Sequence, residues 1–254
     1  MNPSTYENLA VRRYPDRAAM GRAAAEHVRT SIAAACAAGG EARVIFACAP
    51  SQTDFLAALT ADPAAVDWAR VVVFHMDEYA GLGADRPESF RSYLRAHLLD
   101  RVPAPKAFHA IAGEAPSSAA ECARYAALLA EKPIDLVCLG IGENGHLAFN
   151  DPPVADFHDP ALVKVVALDR ACRQQQVNDG CFATFDAVPA HALTLTIPAL
   201  CGARSVSCVV PGERKAPAVR DMLLGPISTA CPASILRHHA DAVLHLDAAA
   251  AGRL

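Results

Sequence analysis

The feature that most constrains this chain is the alternation of short apolar runs with longer amphipathic stretches. Residues 44–47, 71–74, 134–139, 205–210 and 242–246 are short segments dominated by apolar side chains. Strands of that kind are buried on both faces, as in a parallel sheet. Helical patterns cover 17–38, 55–61, 89–99, 119–130 and 214–224. The first stops at Gly39-Gly40, a usual helix end, and Ser117-Ser118 precede the fourth as cap candidates. The alternation predicts an α/β fold: a Rossmann-like, mostly parallel sheet with helices on both faces. No repeat or linker interrupts it. Pro152-Pro153 and Pro160 mark an irregular stretch, so 1–254 reads as a single domain.

Charge and cysteine usage exclude several classes of function. Lys plus Arg is 23 against 27 for Asp plus Glu, with no basic stripe, which excludes nucleic acid as a partner. Hydrophobic residues make up 53% of the chain, enough for a sizeable core, and alanine's share of them favours helix faces. No run approaches the roughly 20 apolar residues of a membrane span, and the N-terminus has no apolar signal core. The nine cysteines form no CxxC pair, and several sit in apolar runs. Buried thiols in a reducing compartment are expected, hence a soluble, cytoplasmic protein without a metal site.

In an open parallel sheet, ligands bind beyond the carboxyl ends of the strands. Here those ends carry the most polar strings of the chain: 48–54, HMDEY at 75–79, GIGENGH at 140–146 and PGERK at 211–215. Asp77 and Glu78 directly follow a buried strand, where a partly desolvated carboxylate can act as a general base near neutral pH. Successive strand side chains point opposite ways, so only one of the two faces a cleft if the strand continues. The other would cap a helix or pair with an arginine such as Arg86. In LGIGENGHLAFNDPP (139–153), Gly140, Gly142 and Gly145 allow close backbone approach. His146 can shuttle a proton if a neighbour fixes its tautomer, a task open to Asp151 or Glu143.

HMDEYAGL followed by GADRPESF resembles the MDEY-x-GL…PES signature of the glucosamine-6-phosphate deaminase / 6-phosphogluconolactonase family. GIGENGHLAFNDP resembles the GxGxxGHxxFNEP signature of its glucosamine-6-phosphate isomerase branch. The likeness runs from about Val44 to Asp247; lactonases would show DER for DEY and lack the FN-acid-P ending. The resemblance implies a sugar-phosphate isomerase / CoA-transferase-like fold. It also implies conversion of glucosamine 6-phosphate, or a close variant, to a ketose with loss of ammonia, and no metal or organic cofactor. Asp77 would move a proton between C2 and C1, and His146 would assist ring opening. Asp151 would be the acidic partner of His146, where the family usually has Glu, and Asn144 would orient His146. Substrate would be held by Ser51, Gln52, Thr53, Glu78, Gly142, Gly145, Arg173 and Lys215. Family members are often oligomers, which extends to a homo-oligomer here. A sugar-phosphate lactonase and a non-catalytic sugar-binding protein are the alternatives.

The phosphate half departs from that pattern. Ser51 and Gln52 stand where the family has a Gly-Gly pair whose backbone N–H groups cradle phosphate. Thr53 keeps a hydroxyl, but Asp54 adds negative charge where an anion would sit, and Ser51 or Asp54 reads as the cap of the next helix. Gln176 occupies the position of a lid arginine, with Arg173 one turn away. Lys215 matches the phosphate-binding lysine. The strings at 152–160 and 172–182 read as a reshaped lid whose glutamines suit hydroxyls better than a dianion.

Overall fold

The apolar runs become the centre of an eight-stranded sheet. The computed structural model describes residues 4–178 and 180–254. A hairpin of β1 (Ser4–Tyr6) and β2 (Leu9–Tyr14) leads into α1 (Arg17–Gly39). There follow β3 (Ala42–Phe46), α2 (Thr53–Thr60), β4 (Val71–His75), β5 (Asp77–Tyr79), α3 (Phe90–His97), β6 (Ala107–His109), α4 (Ser118–Ala130) and β7 (Leu136–Leu139). The last third contains β8 (Val163–Ala167), α5 (Arg170–Asn178), β9 (His191–Leu195), α6 (Ile197–Cys201), β10 (Ser205–Val210), α7 (Ala216–Leu224) and β11 (Ala242–Asp247).

The large sheet has the order β1-β2-β11-β10-β7-β3-β4-β6, and every pair but β1/β2 is parallel. Every residue of β3, β4, β7, β10 and β11 is buried, as the apolar runs require. Neighbouring residues serve opposite faces. Val44, Phe46 and Val73 pack with Met20, Val28 and Leu56 of α1 and α2; Ile45, Phe74 and Val137 pack with Tyr125 of α4 and Met222 of α7. The helix ends follow the expected chemistry. Gly40 closes α1 at φ +80°, and the Ser117 hydroxyl accepts from the Ala120 N–H at the start of α4. No described helix is long and apolar enough to cross a membrane.

A second, three-stranded antiparallel sheet, β5-β9-β8, was not legible in the sequence. The chain leaves β4 at His75, turns at Met76 and re-enters strand pairing at Asp77, opposite Thr194. The Leu195 N–H donates to the Met76 carbonyl at 2.8 Å and locks the turn. A three-residue strand whose partner lies more than a hundred residues away has no local signature.

Within β5 the pleat separates the two acids. Glu78 is fully buried and faces α3. Its Oε1 accepts from the N–H groups of Tyr79 (3.0 Å) and Phe90 (3.1 Å), and its Oε2 from the Arg91 N–H (3.0 Å) and Nε (3.2 Å). The resemblance implied Glu78 as a substrate ligand; it instead lies outside the pocket lining and holds the start of α3 and the Arg91 guanidinium. The arginine is Arg91 rather than Arg86, which pairs with Glu88 instead. Removing one partner of such a buried pair costs about 3–5 kcal/mol. Glu78→Gln should lose stability of that order in urea denaturation; a loss below about 1 kcal/mol would show that the clamp is dispensable.

Candidate active site

The carboxyl ends of β3, β4, β7 and β10 open on a pocket of about 330 Å³, at the lower end of the range for small-ligand sites. Residues 48–52 form one wall, Met76 and Asp77 the floor, Gly140 to Gly142 with His146 a second wall, and Pro211 to Lys215 a third. Asp77 and His146, from different strand ends, thus face the same space.

Asp77 is only 6% exposed. Desolvation, and then the charge of Glu78 beside it, hold its carboxyl well above the usual carboxylate range. A group so shifted sits closer to neutral pH, where a general base is effective.

His146 Nδ1 lies 2.9 Å from Asp151 Oδ1. With Nδ1 engaged, Nε2 is the ring nitrogen left for a ligand. Burial pushes the Asp151 carboxyl up, but His146, the Asn144 amide and the Cys172 thiol outweigh it and hold Asp151 below its ordinary value. Of the two expected orienting acids, Asp151 is the one used; Glu143 pairs with Arg214 at 3.5 Å. Asn144 works on the frame rather than on the ring. Its Nδ2 donates to Asp151 Oδ1 (2.8 Å), and its Oδ1 accepts from the His146 backbone N–H (3.1 Å).

The glycines have steric reasons. A Cβ on Gly142 would lie 2.2 Å from His146 Nδ1, so only glycine lets the imidazole lie over the backbone. Gly145 adopts φ +79°, and a Cβ there would meet Cys231 Sγ at 2.6 Å. Gly142 lines the pocket; Gly145, expected to hold substrate, is not among its lining residues.

Ser51, Gln52 and Lys215 line the pocket as expected, but two other expected ligands do not. The Thr53 hydroxyl lies 3.0 Å from the Tyr93 hydroxyl. Arg173 Nη2 donates to the carbonyls of Phe185 (2.9 Å) and Val188 (2.8 Å), with its guanidinium over the Phe185 ring, so it braces the 185–188 turn. Neither Ser51 nor Asp54 caps α2, which starts from Gln52 without a side-chain cap. Asp54 instead receives Arg17 Nε at 2.8 Å.

Arg17, Arg214 and Gln175 line the pocket without having been singled out in the sequence. Arg17 was hidden because β2, which delivers it to this edge of the sheet, alternates too weakly to read as a strand. Asp247, at the end of β11, is equally silent in sequence. Both its carboxylate oxygens accept from the Gly212 N–H at 3.0 Å, which fixes the turn carrying Lys215. Among the described residues, no cluster of His, Cys, Asp and Glu could hold a metal ion.

The profile of the family described as glucosamine-6-phosphate isomerases/6-phosphogluconolactonase matches residues 15–245. The chain belongs to this family. The glucosamine-6-phosphate deaminase of Listeria innocua is 38% identical over 189 residues, which cover 74% of this chain and 78% of that protein. The structure of a monomeric glucosamine-6-phosphate deaminase matches with a TM-score of 0.88 at 28% identity, over 96% of this chain and 99% of that one. A 6-phosphogluconolactonase from Trypanosoma cruzi matches with a TM-score of 0.77 at 18% identity, over 100% of this chain and 99% of that one, and shares the fold. The expected α/β architecture is thus the family's own.

The raised Asp77 carboxyl has a consequence for stability. A carboxyl whose folded pKa lies above its unfolded value stabilises the fold at low pH and loses that contribution as pH rises through the folded value. Asp77→Asn, which cannot ionise, should therefore unfold at a higher temperature than wild type at pH 7.5. The gap should close towards pH 4, and a difference that is the same at both pH values would mean that Asp77 is not strained by its burial.

Proposed function

We propose that the protein converts glucosamine 6-phosphate and water to fructose 6-phosphate and ammonia, acting in the cytoplasm. The observation that carries this reading is the convergence of Asp77 and the His146–Asp151 pair on one pocket at the strand ends. Curated relatives that carry the name glucosamine-6-phosphate deaminase support the choice of substrate. The free, mostly buried thiols suit a reducing compartment.

The steps follow from the two groups. His146 Nε2 returns a proton to the ring oxygen as the C1 hydroxyl loses one, which opens the ring to an aldehyde. Asp77 then removes the C2 proton as protonated His146 gives one to the C1 oxygen, leaving an enol with nitrogen on C2, and the proton held by Asp77 is delivered to C1. The resulting C2 imine takes up water, and ammonia leaves from the carbinolamine. Asp151 favours the charged imidazole whenever His146 carries the extra proton. A lactonase reading fits less well, because ester hydrolysis has no use for a base beside C2.

Wild-type protein should release ammonia from glucosamine 6-phosphate. Lactone hydrolysis without ammonia would overturn the assignment. Asp77→Asn should lower turnover by about 10²–10⁴-fold while still binding substrate. The active form of Asp77 is the carboxylate, so the rate should fall as pH drops through its raised pKa. The acid limb of the kcat/KM profile should therefore lie above the ordinary carboxylate range. His146→Gln should slow reaction of the ring form more than that of open-chain substrate, as read by single-turnover kinetics.

A further inference from the structure

Phosphate recognition is where this chain departs furthest from its family, and the pocket restricts which groups remain for it. Gln52, 1% exposed, cannot offer its amide N–H groups to an anion. Its Nε2 donates to the Val209 carbonyl and to Ser51 Oγ, both at 3.2 Å. The other end, Oε1, has no partner among the described residues and is an acceptor, which a phosphate oxygen would repel. Gln176 at the lid position accepts from the Tyr79 hydroxyl at 2.7 Å, and Arg173 is turned onto the 185–188 backbone.

Arg17 is differently placed. It is the first residue of α1, whose start is fixed by Asp16 accepting from the Ala19 N–H. Because β2 runs parallel to β11, its carboxyl end opens on the same edge as the catalytic loops, and Arg17 lines the pocket. Its Nε and Nη2 approach one oxygen of Asp54, at 2.8 and 2.7 Å. A guanidinium has five donors in a planar fork, so donors remain for a second anion. The pair is half-exposed, and pairs of that kind contribute little to stability, so Arg17 is cheaply redirected. The Asp54 charge, which would oppose an anion in the loop, is thus matched by a cation that lines the pocket.

We propose that Arg17 is the phosphate-reading guanidinium of this protein, delivered from the start of α1 in place of an arginine at position 176, with Asp54 as its holder and Lys215 as the second cation. The assignment rests on the reading of the ligand as a sugar phosphate. It makes Arg17 a determinant of specificity for the phosphorylated form, not a catalytic residue.

The test uses Arg17→Ala, Arg17→Lys and Asp54→Asn in the full chain. Arg17→Ala should raise KM for glucosamine 6-phosphate at least tenfold, a loss of about 1.4 kcal/mol, with kcat within about twofold of wild type. Competition by inorganic phosphate should weaken by a similar factor, while binding of unphosphorylated glucosamine should not change. Arg17→Lys should recover part of the effect, since it keeps the charge and loses the fork. Asp54→Asn, which loosens the hold on Arg17, should raise KM for glucosamine 6-phosphate by less than Arg17→Ala does and leave binding of unphosphorylated glucosamine unchanged. Equal damage from Arg17→Ala and Asp54→Asn, on phosphorylated and unphosphorylated ligands alike, would reduce the pair to a structural tie and overturn the proposal. Calorimetry with inorganic phosphate and with 6-phosphogluconate separates this inference from the deaminase reading. If wild type releases no ammonia yet loses phosphate binding on Arg17→Ala, the deaminase reading fails and Arg17 stands. If Arg17→Ala binds both probes as wild type does, Arg17 falls whatever the enzyme turns over.

Discussion

A single buried carboxylate, Glu78, sets the geometry on which the site depends. Its oxygens accept three backbone N–H groups and the Arg91 Nε, which ties a three-residue strand to the first turn of α3. Arg91 in turn reaches Glu114 and the Leu82 carbonyl, so the loops on either side of α3 are gathered on one guanidinium. With Glu78 turned fully inward, the pleat of β5 turns Asp77 the other way, into the pocket. The same arrangement places one acid's charge beside another acid that has little solvent, which is what keeps Asp77 from ionising in the usual range.

Three acids in this region differ in role because their surroundings differ. Burial pushes the Glu78 carboxyl up, and its backbone donors and Arg91 offset part of that rise. Asp77 is buried and lacks such compensation, so its proton is held and can be exchanged. Asp151 is buried beside an imidazole and an amide that favour its charged form, which suits it to orient His146 rather than to react. Division of labour between carboxylates by environment is a recurrent route to acid–base chemistry near neutral pH.

The opposite end of the pocket has been rebuilt with side chains. Where the family has a Gly-Gly pair, Gln52 packs beside Gly140 and bonds to the Val209 carbonyl. Cationic character comes from chain segments that follow β2 and β10, not from the lid. Asp247 and Gly212 hold one of these segments, and Asp16 and Asp54 hold the other. In both cases a carboxylate outside the pocket fixes a cation that lines it.

The family resemblance singled out Asp77, Asp151 and Lys215; the fold class, the strand ends at which to look and His146 could be read from the chain itself. Each rests on local information: apolar runs that must be buried, glycines beside a histidine, and polar strings that directly follow strands. The second sheet, the inward turn of Glu78, the diversion of Arg173 and Thr53, and the arrival of Arg17 could not be read that way. These depend on which side of a pleat a residue takes, and on partners far away in sequence, such as Thr194 for Asp77 and Asp54 for Arg17. Residue type and spacing state which chemistry is available. Only packing decides which way each side chain points, because that choice is made by the neighbour that satisfies its charge or excludes its water.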